Sequence, residues 1–342
     1  MTSQRALLTP QMLHYAKNFD DRGDVRWLPY LMHFHPAGYT SHVVSTDRIG
    51  FRVSERSGQR ISVGGEVPVG PARLIAGSST VFGIGASSDA HTLASLLWTK
   101  HAPSTPWLNF GGRSFNSAQE MLLFSLYRHL VPQIDEIVLF SGFNNLGLAR
   151  LPQHLQGDQG AFFNGHEYAA QVRAARLSKL RDNGLSKRAA VKALGEPPEQ
   201  DYTPPTLDEQ IERATELTIR HLDNWRLFAA GLGAKLTFVL QPLAAWVRER
   251  PAPEEHRLFT ELDAIADFGR AYGDICTVDV GRRYARALSA GCERIGVPFV
   301  DLNPVLTEAA HPSQWIFVDR IHFTDEGHDL VAGLLADCLG LS

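Results

Sequence analysis

Four short stretches of this chain carry residue types and spacings that could do nucleophilic chemistry. They are 77-GSSTVFGIGASSD-89, 109-NFGGRSFNS-117, 142-GFNNLG-147 and 319-DRIHFTDEG-327. A serine hydroxyl is a weak nucleophile until a neighbouring base takes its proton. Histidine suits that task because its pKa lies near neutrality. A carboxylate on the other ring nitrogen holds the tautomer and stabilises the imidazolium. Asp319 and His322 stand three residues apart, so a single turn can bring carboxylate to ring. The oxyanion of an acyl-transfer intermediate needs preorganised donors. Backbone N–H groups of the first two stretches, and the side-chain amide of Asn144, could supply them.

These stretches need elements to carry them. From Arg73 onward the pattern is strand, loop, helix, repeated. Apolar runs at 74–76, 107–110, 137–141, 236–240 and 298–301 predict strands, and the run at 137–141 is of the kind buried on both sheet faces. Helices are expected over about 91–100, 117–129, 206–231, 257–271 and 279–292, with a last one after His322. Ser117 and Glu120 read as a capping box, and Thr324 as the N-cap of the last helix. Such alternation predicts a parallel sheet covered by helices. Ligand sites in open α/β sheets form outside the carboxyl ends of the strands, where the first three stretches fall.

Two segments stand apart. Residues 1–70 read as a small, mostly β accessory region ahead of a main domain over 71–342. Residues 146–205 interrupt the alternation with turn-rich ends and a helical centre. Within it Arg173, Arg176, Lys179, Arg181, Lys187, Arg188 and Lys192 face a single acid, Asp182. The insertion is expected to lie over the site; its basic residues read first as a solvated helical face, and alternatively as the face of a lid that meets an anionic substrate or carrier.

With 342 residues and a net charge of −4, the chain shows no bulk pull toward nucleic acid or anionic membrane. No apolar run is long enough to span a membrane, and the first residues lack a secretory h-region. Cys276, Cys292 and Cys338 are widely spaced and odd in number, which fits a reducing, cytoplasmic setting; Cys338 is expected to be buried. No HExxH or CxxC spacing points to a metal, and no cofactor is expected.

Taken together and in order, the four stretches resemble the four blocks of the SGNH (GDSL-like) hydrolases. The resemblance covers roughly residues 73–146 and 235–340. It implies a flavodoxin-like three-layer α/β/α fold. 77-GSST-80 is similar to the nucleophile block and assigns Ser79. 319-DRIH-322 is similar to D-x-x-H and assigns Asp319 and His322. 109-NFGGRSF-115 is similar to N-x-G-x-x-G-Y, where Ser114 replaces the glycine that donates its N–H, with Gly112 as the alternative donor. 142-GFNN-145 is similar to G-x-N-D and assigns Asn144, with Asn145 in place of the Asp. The family's chemistry is hydrolysis or transfer of an acyl group from a small ester or thioester, which can be carrier-bound, through an acyl-serine.

Three rival readings are weaker. Gly83 to Ser88 nearly spells a dinucleotide-binding G-x-G-x-x-G, but Ser88 stands at the third glycine. No G-x-S-x-G nucleophile elbow occurs. A non-catalytic binding module on the same fold would not need Ser79, Asn144, Asp319 and His322 together.

Overall fold

The structure is a computed structural model describing residues 3–19, 26–28, 30–151, 155–163, 165–194, 203–265 and 268–341. Two antiparallel pairs come first: β1 (Arg26–Leu28) with β2 (Met32–Phe34), and β3 (Ser54–Arg56) with β4 (Gln59–Ile61). The main sheet follows, with β5 (Pro71–Gly77), β6 (Trp107–Gly111), β7 (Gln133–Ser141), β8 (Lys235–Leu240) and β9 (Phe299–Asp301). All five strands are parallel, in the order β6-β5-β7-β8-β9. That is the flavodoxin-like order, and its switch point falls between β5 and β7.

Two helical groups flank the sheet. Helices Ser117–Tyr127, Leu207–Leu232 and Val278–Ile295 form one, and Leu93–Leu96, Leu302–Ala309 and Asp325–Leu339 the other. The fold is therefore α/β with a central parallel sheet, as the alternation predicts. Ile75, Ile137, Val138 and Phe238 are fully buried, which explains the unbroken apolar runs in the strands. Leu31, Phe34, Phe51, Ile61 and Val63 of the first 70 residues belong to the same core.

Several expectations need correction. The first 70 residues are not only β: helices Gln4–Leu8 and Gln11–Asn18 precede the strands. Met12, Tyr15 and Phe19 recur at helical spacing and are buried together, which was the available signal. The capping box of the 117–127 helix sits one residue earlier than expected, on Asn116 and Gln119. Asn116 takes that role because the Ser117 N–H and hydroxyl are both engaged by Asn145. Thr324 caps the last helix, accepting from Gly327 N–H. Cys338 is exposed near the end of that helix, on the side away from the core, whereas Cys292 is buried.

Displacement from the cap leaves Glu120 buried in the core. Its Oε1 accepts from Ser141 Oγ at 2.6 Å. Burial pushes its carboxyl up to about 8, against the opposing effect of that hydrogen bond. A carboxyl raised in the folded state binds a proton there that the unfolded chain has released. Its contribution is therefore present below about pH 4.5 and is lost as pH rises through about 8. Glu120→Gln, which keeps the acceptor and cannot ionise, should flatten this decline. Urea midpoints at pH 6 and pH 9 test it: the wild-type protein should lose more than the variant between them.

Candidate active site

The carboxyl ends of β5, β6 and β7 lie side by side, with Gly77 opposite both Gly111 and Phe140. This proximity demands glycine. A Cβ at Gly77 would lie 2.1 Å from the Phe140 carbonyl oxygen, and one at Gly111 would lie 2.1 Å from the Phe82 nitrogen. Released by Gly77, the chain turns at once into the short helix Ser79–Phe82. Asn109 braces this turn from β6, donating to the Val81 carbonyl at 2.7 Å and accepting from Gly111 N–H.

The partner loop arrives from the far end of the chain. Phe317 bridges Phe323, and Val318 N–H donates to the His322 carbonyl, closing a tight turn over 319–322. Inside it Asp319 Oδ1 accepts the N–H groups of Ile321 and His322 at 2.8 and 2.7 Å. Asp319 Oδ2 meets His322 Nδ1 at 2.7 Å, and His322 Nε2 meets Ser79 Oγ at 2.7 Å. Burial alone would raise the Asp319 carboxyl; the His322 ring and the two N–H donors outweigh it and hold it below the usual range. An ionised Asp319 fixes the proton on His322 Nδ1 and leaves Nε2 to accept from Ser79. The structure thus brings Ser79, His322 and Asp319 into one hydrogen-bonded row.

The donors named from sequence fare differently. Ser114 lines the same pocket as Ser79, Asp319 and His322. It holds φ +58°, the left-handed conformation a glycine would adopt freely. Ser114→Gly should therefore raise stability by about 0.5–1 kcal/mol. Denaturant unfolding checks this, with turnover retained. Gly112 is set aside as a donor, because its N–H is spent on the Gly77 carbonyl at 2.9 Å. Asn144 Nδ2 donates one N–H to the Phe115 carbonyl at 2.7 Å. A carboxamide nitrogen carries a second N–H, which has no partner among the described residues. Ser79 N–H, at the start of its helix, likewise has none. Asn145 is structural, bonding Ser117 and Thr218 on neighbouring helices.

The pocket beside the row has a volume of about 210 Å³. Its apolar wall comes from Met12, Tyr15 and Ala16 of the second helix, with its C-cap Phe19 and Ile84, and its cations are Arg5 and Arg113. The insertion at 146–205 contributes no lining residue among those described, and part of it, 152–154, 164 and 195–202, lies outside them. Its helices Gly165–Asp182 and Lys187–Leu194 pack chiefly on each other, leaving Arg176, Lys179 and Arg181 exposed. Among the described residues, the wall of this pocket comes from the N-terminal helices and not from the insertion.

The second of those helices is tied to the Ser79 turn by a buried guanidinium. Arg52 donates to Asp89, to the Tyr15 hydroxyl and to the Val43, Phe82 and Gly83 carbonyls. Phe82 and Gly83 end the Ser79 helix, so this charge satisfies carbonyls the helix leaves open. Nothing in the spacing of Tyr15, Arg52 and Asp89 announces this cluster.

Fold and site together define an α/β protein with a serine–histidine–aspartate row at its sheet switch point. No family model matches the chain, and no curated protein matches it by sequence. Solved structures do resemble it. One is a member of the lipolytic G-D-S-L family from Veillonella parvula, 10% identical, covering 79% of this chain and 99% of its own, with a TM-score of 0.43. The lipase/acylhydrolase of Enterococcus faecalis is 13% identical over 79% of this chain and 95% of its own, also at 0.43. A carbohydrate acetylesterase from Sinorhizobium meliloti is 12% identical over 79% and 99%, again at 0.43. Likenesses this distant carry no argument about activity or substrate. Among the described residues no group of three or more His, Cys, Asp or Glu could hold a metal, and no helix is long and apolar enough to cross a membrane.

Proposed function

We propose that this chain is a serine-dependent acyl hydrolase acting on small esters or thioesters through an acyl-Ser79 intermediate. The observation that carries the reading is the pair of 2.7 Å contacts joining Ser79, His322 and Asp319. Ser79 Oγ attacks the acyl carbonyl while His322 Nε2 takes its proton, and Asp319 stabilises the imidazolium. The carbonyl oxygen becomes an oxyanion that accepts from Ser79 N–H, Ser114 N–H and Asn144 Nδ2. His322 returns the proton to the leaving alcohol or thiol as the carbonyl–oxygen or carbonyl–sulfur bond breaks. Water, deprotonated by the same ring, then releases the acid and frees Ser79. An alcohol or amine in place of water would make the same protein an acyltransferase. The pocket volume suits a short acyl group against the Met12–Phe19 wall.

Labelling with a fluorophosphonate, followed by mass measurement of the Ser79 peptide, tests the reading. An adduct on Ser79 that forms on the folded protein, and fails to form when the protein is unfolded before labelling, supports it. No adduct on the folded protein leaves the chain a binding module.

A further inference from the structure

We propose that His35, with His33, positions the oxyanion-donor loop: the two rings clamp Arg113 from either side and thereby hold the Ser114 N–H toward the reacting carbonyl. The proposal rests on the acyl-serine reading above. It concerns residues of β2 and its continuation, outside all four chemistry-bearing stretches.

The geometry is specific. Arg113 N–H donates to His35 Nε2 at 3.0 Å. The Arg113 carbonyl faces His33 Nε2, also at 3.0 Å. His35 Nδ1 in turn meets the Gly50 carbonyl at 3.0 Å. Partners dictate the tautomers: His35 carries its proton on Nδ1 and accepts on Nε2, whereas His33 carries its proton on Nε2. Both rings are buried. The His35 ring lies over Phe82, the last residue of the Ser79 helix, with centroids 3.8 Å apart. One imidazole therefore touches both the nucleophile helix and the donor loop.

Such a clamp has a purpose here that a glycine-bearing loop would not need. Ser114 sits at φ +58°, where a side chain costs on the order of 1–2 kcal/mol. Residues held in sparsely populated backbone regions persist only where their surroundings over-determine them. Fixing the N–H and the carbonyl of the preceding residue holds the peptide units on both sides of Arg113, the second of which carries the Ser114 N–H, and supplies that constraint. A donor displaced by a fraction of an ångström stabilises the transition state less while binding the substrate as well.

The clamp works only with a neutral His35, because an imidazolium cannot accept from Arg113 N–H. The charged and titratable groups facing the ring are Arg113 on the donor loop, Arg26 on β1 and His33 on β2, all cationic or able to become so. Burial and these neighbours hold His35 well below the usual histidine value. The clamp thus stays intact as pH falls through the ordinary histidine range.

His35→Leu removes the acceptor at similar volume, and His35→Gln restores an acceptor oxygen. With p-nitrophenyl acetate as substrate, His35→Leu should lower kcat about tenfold or more, with KM little changed. A trifluoromethyl ketone, which forms an oxyanion on Ser79, should bind more weakly by a similar factor. The matching methyl ketone should be nearly unaffected. His35→Gln should recover most of both losses. Should His35→Leu fail to fold, His33→Leu, which removes only the donor to the Arg113 carbonyl, is measured the same way. Unchanged kcat in a folded leucine variant, or equal weakening of both ketones, would overturn the clamp alone. A wild-type protein that neither turns over the ester nor binds the trifluoromethyl ketone would overturn the clamp and the acyl-serine reading together.

Discussion

Replacing Ser79 by Ala should lower turnover of an activated ester by about 10⁴–10⁶-fold and leave the fold intact. The residual activity would come from the oxyanion donors and binding, which the substitution does not touch. Stability should change by about 1 kcal/mol or less, because Ser79 Oγ makes one hydrogen bond and Ala fills the same backbone position. A row acting as one unit is non-additive. The double variant Ser79→Ala/His322→Ala should therefore be no slower than Ser79→Ala alone. Steady-state rates on the three proteins decide this, with a denaturant curve on each. A Ser79→Ala protein retaining a hundredth of the turnover would remove Ser79 as nucleophile.

Replacing Arg52 by Leu should destabilise the protein by about 3 kcal/mol or more. The guanidinium is fully buried and lies 3.0 Å from Asp89. Its removal strands a carboxylate in the core, with Arg60 and Ser45 N–H as its remaining partners. It also removes the guanidinium donor from the Val43 and Phe82 carbonyls, whereas the Gly83 carbonyl keeps the Tyr15 hydroxyl and Ala86 N–H as donors. Each buried polar group left unsatisfied costs about 1–3 kcal/mol. Adding Asp89→Asn should recover part of the loss, since the stranded charge is then gone, and the cycle reads the coupling between the two. The variant should also lose activity at temperatures where it is still folded, because Arg52 holds the end of the Ser79 helix. Chemical denaturation of the two singles and the double tests the claim. A loss under about 1 kcal/mol would show that the cluster is not what anchors the N-terminal helices to the nucleophile turn.

Much of the sheet was legible because its signals are local. Apolar runs such as 137–141 and 236–240 can bury both faces only in a covered parallel strand, and each ends in a loop rich in Gly, Asn or Ser. Asp319 and His322 were legible as a pair because three residues of separation suffice for the turn that joins them. The capping box was misplaced by one residue because Asn116 and Ser117 are both good caps in isolation, and Asn145, 28 residues away, claims Ser117. The second N-terminal helix was missed although Met12, Tyr15 and Phe19 stand at helical spacing, since eight residues give a weak period.

The alternation of strands and helices, and the kinds of side chain that the strand-end loops present, can be read from the order of residues alone. Both follow from hydrophobic period and turn chemistry, which act over a few residues. The remaining features of the site arise from how distant elements pack. Packing spends the Gly112 N–H on the Gly77 carbonyl, puts Ser114 in a glycine-like conformation directly after a residue whose N–H and carbonyl are both held by histidines, and, among the described residues, walls the pocket with the N-terminal helices. These outcomes depend on pairings across tens to hundreds of residues. Such pairings are selected by how whole elements pack and satisfy one another's buried polar groups, which no local pattern encodes.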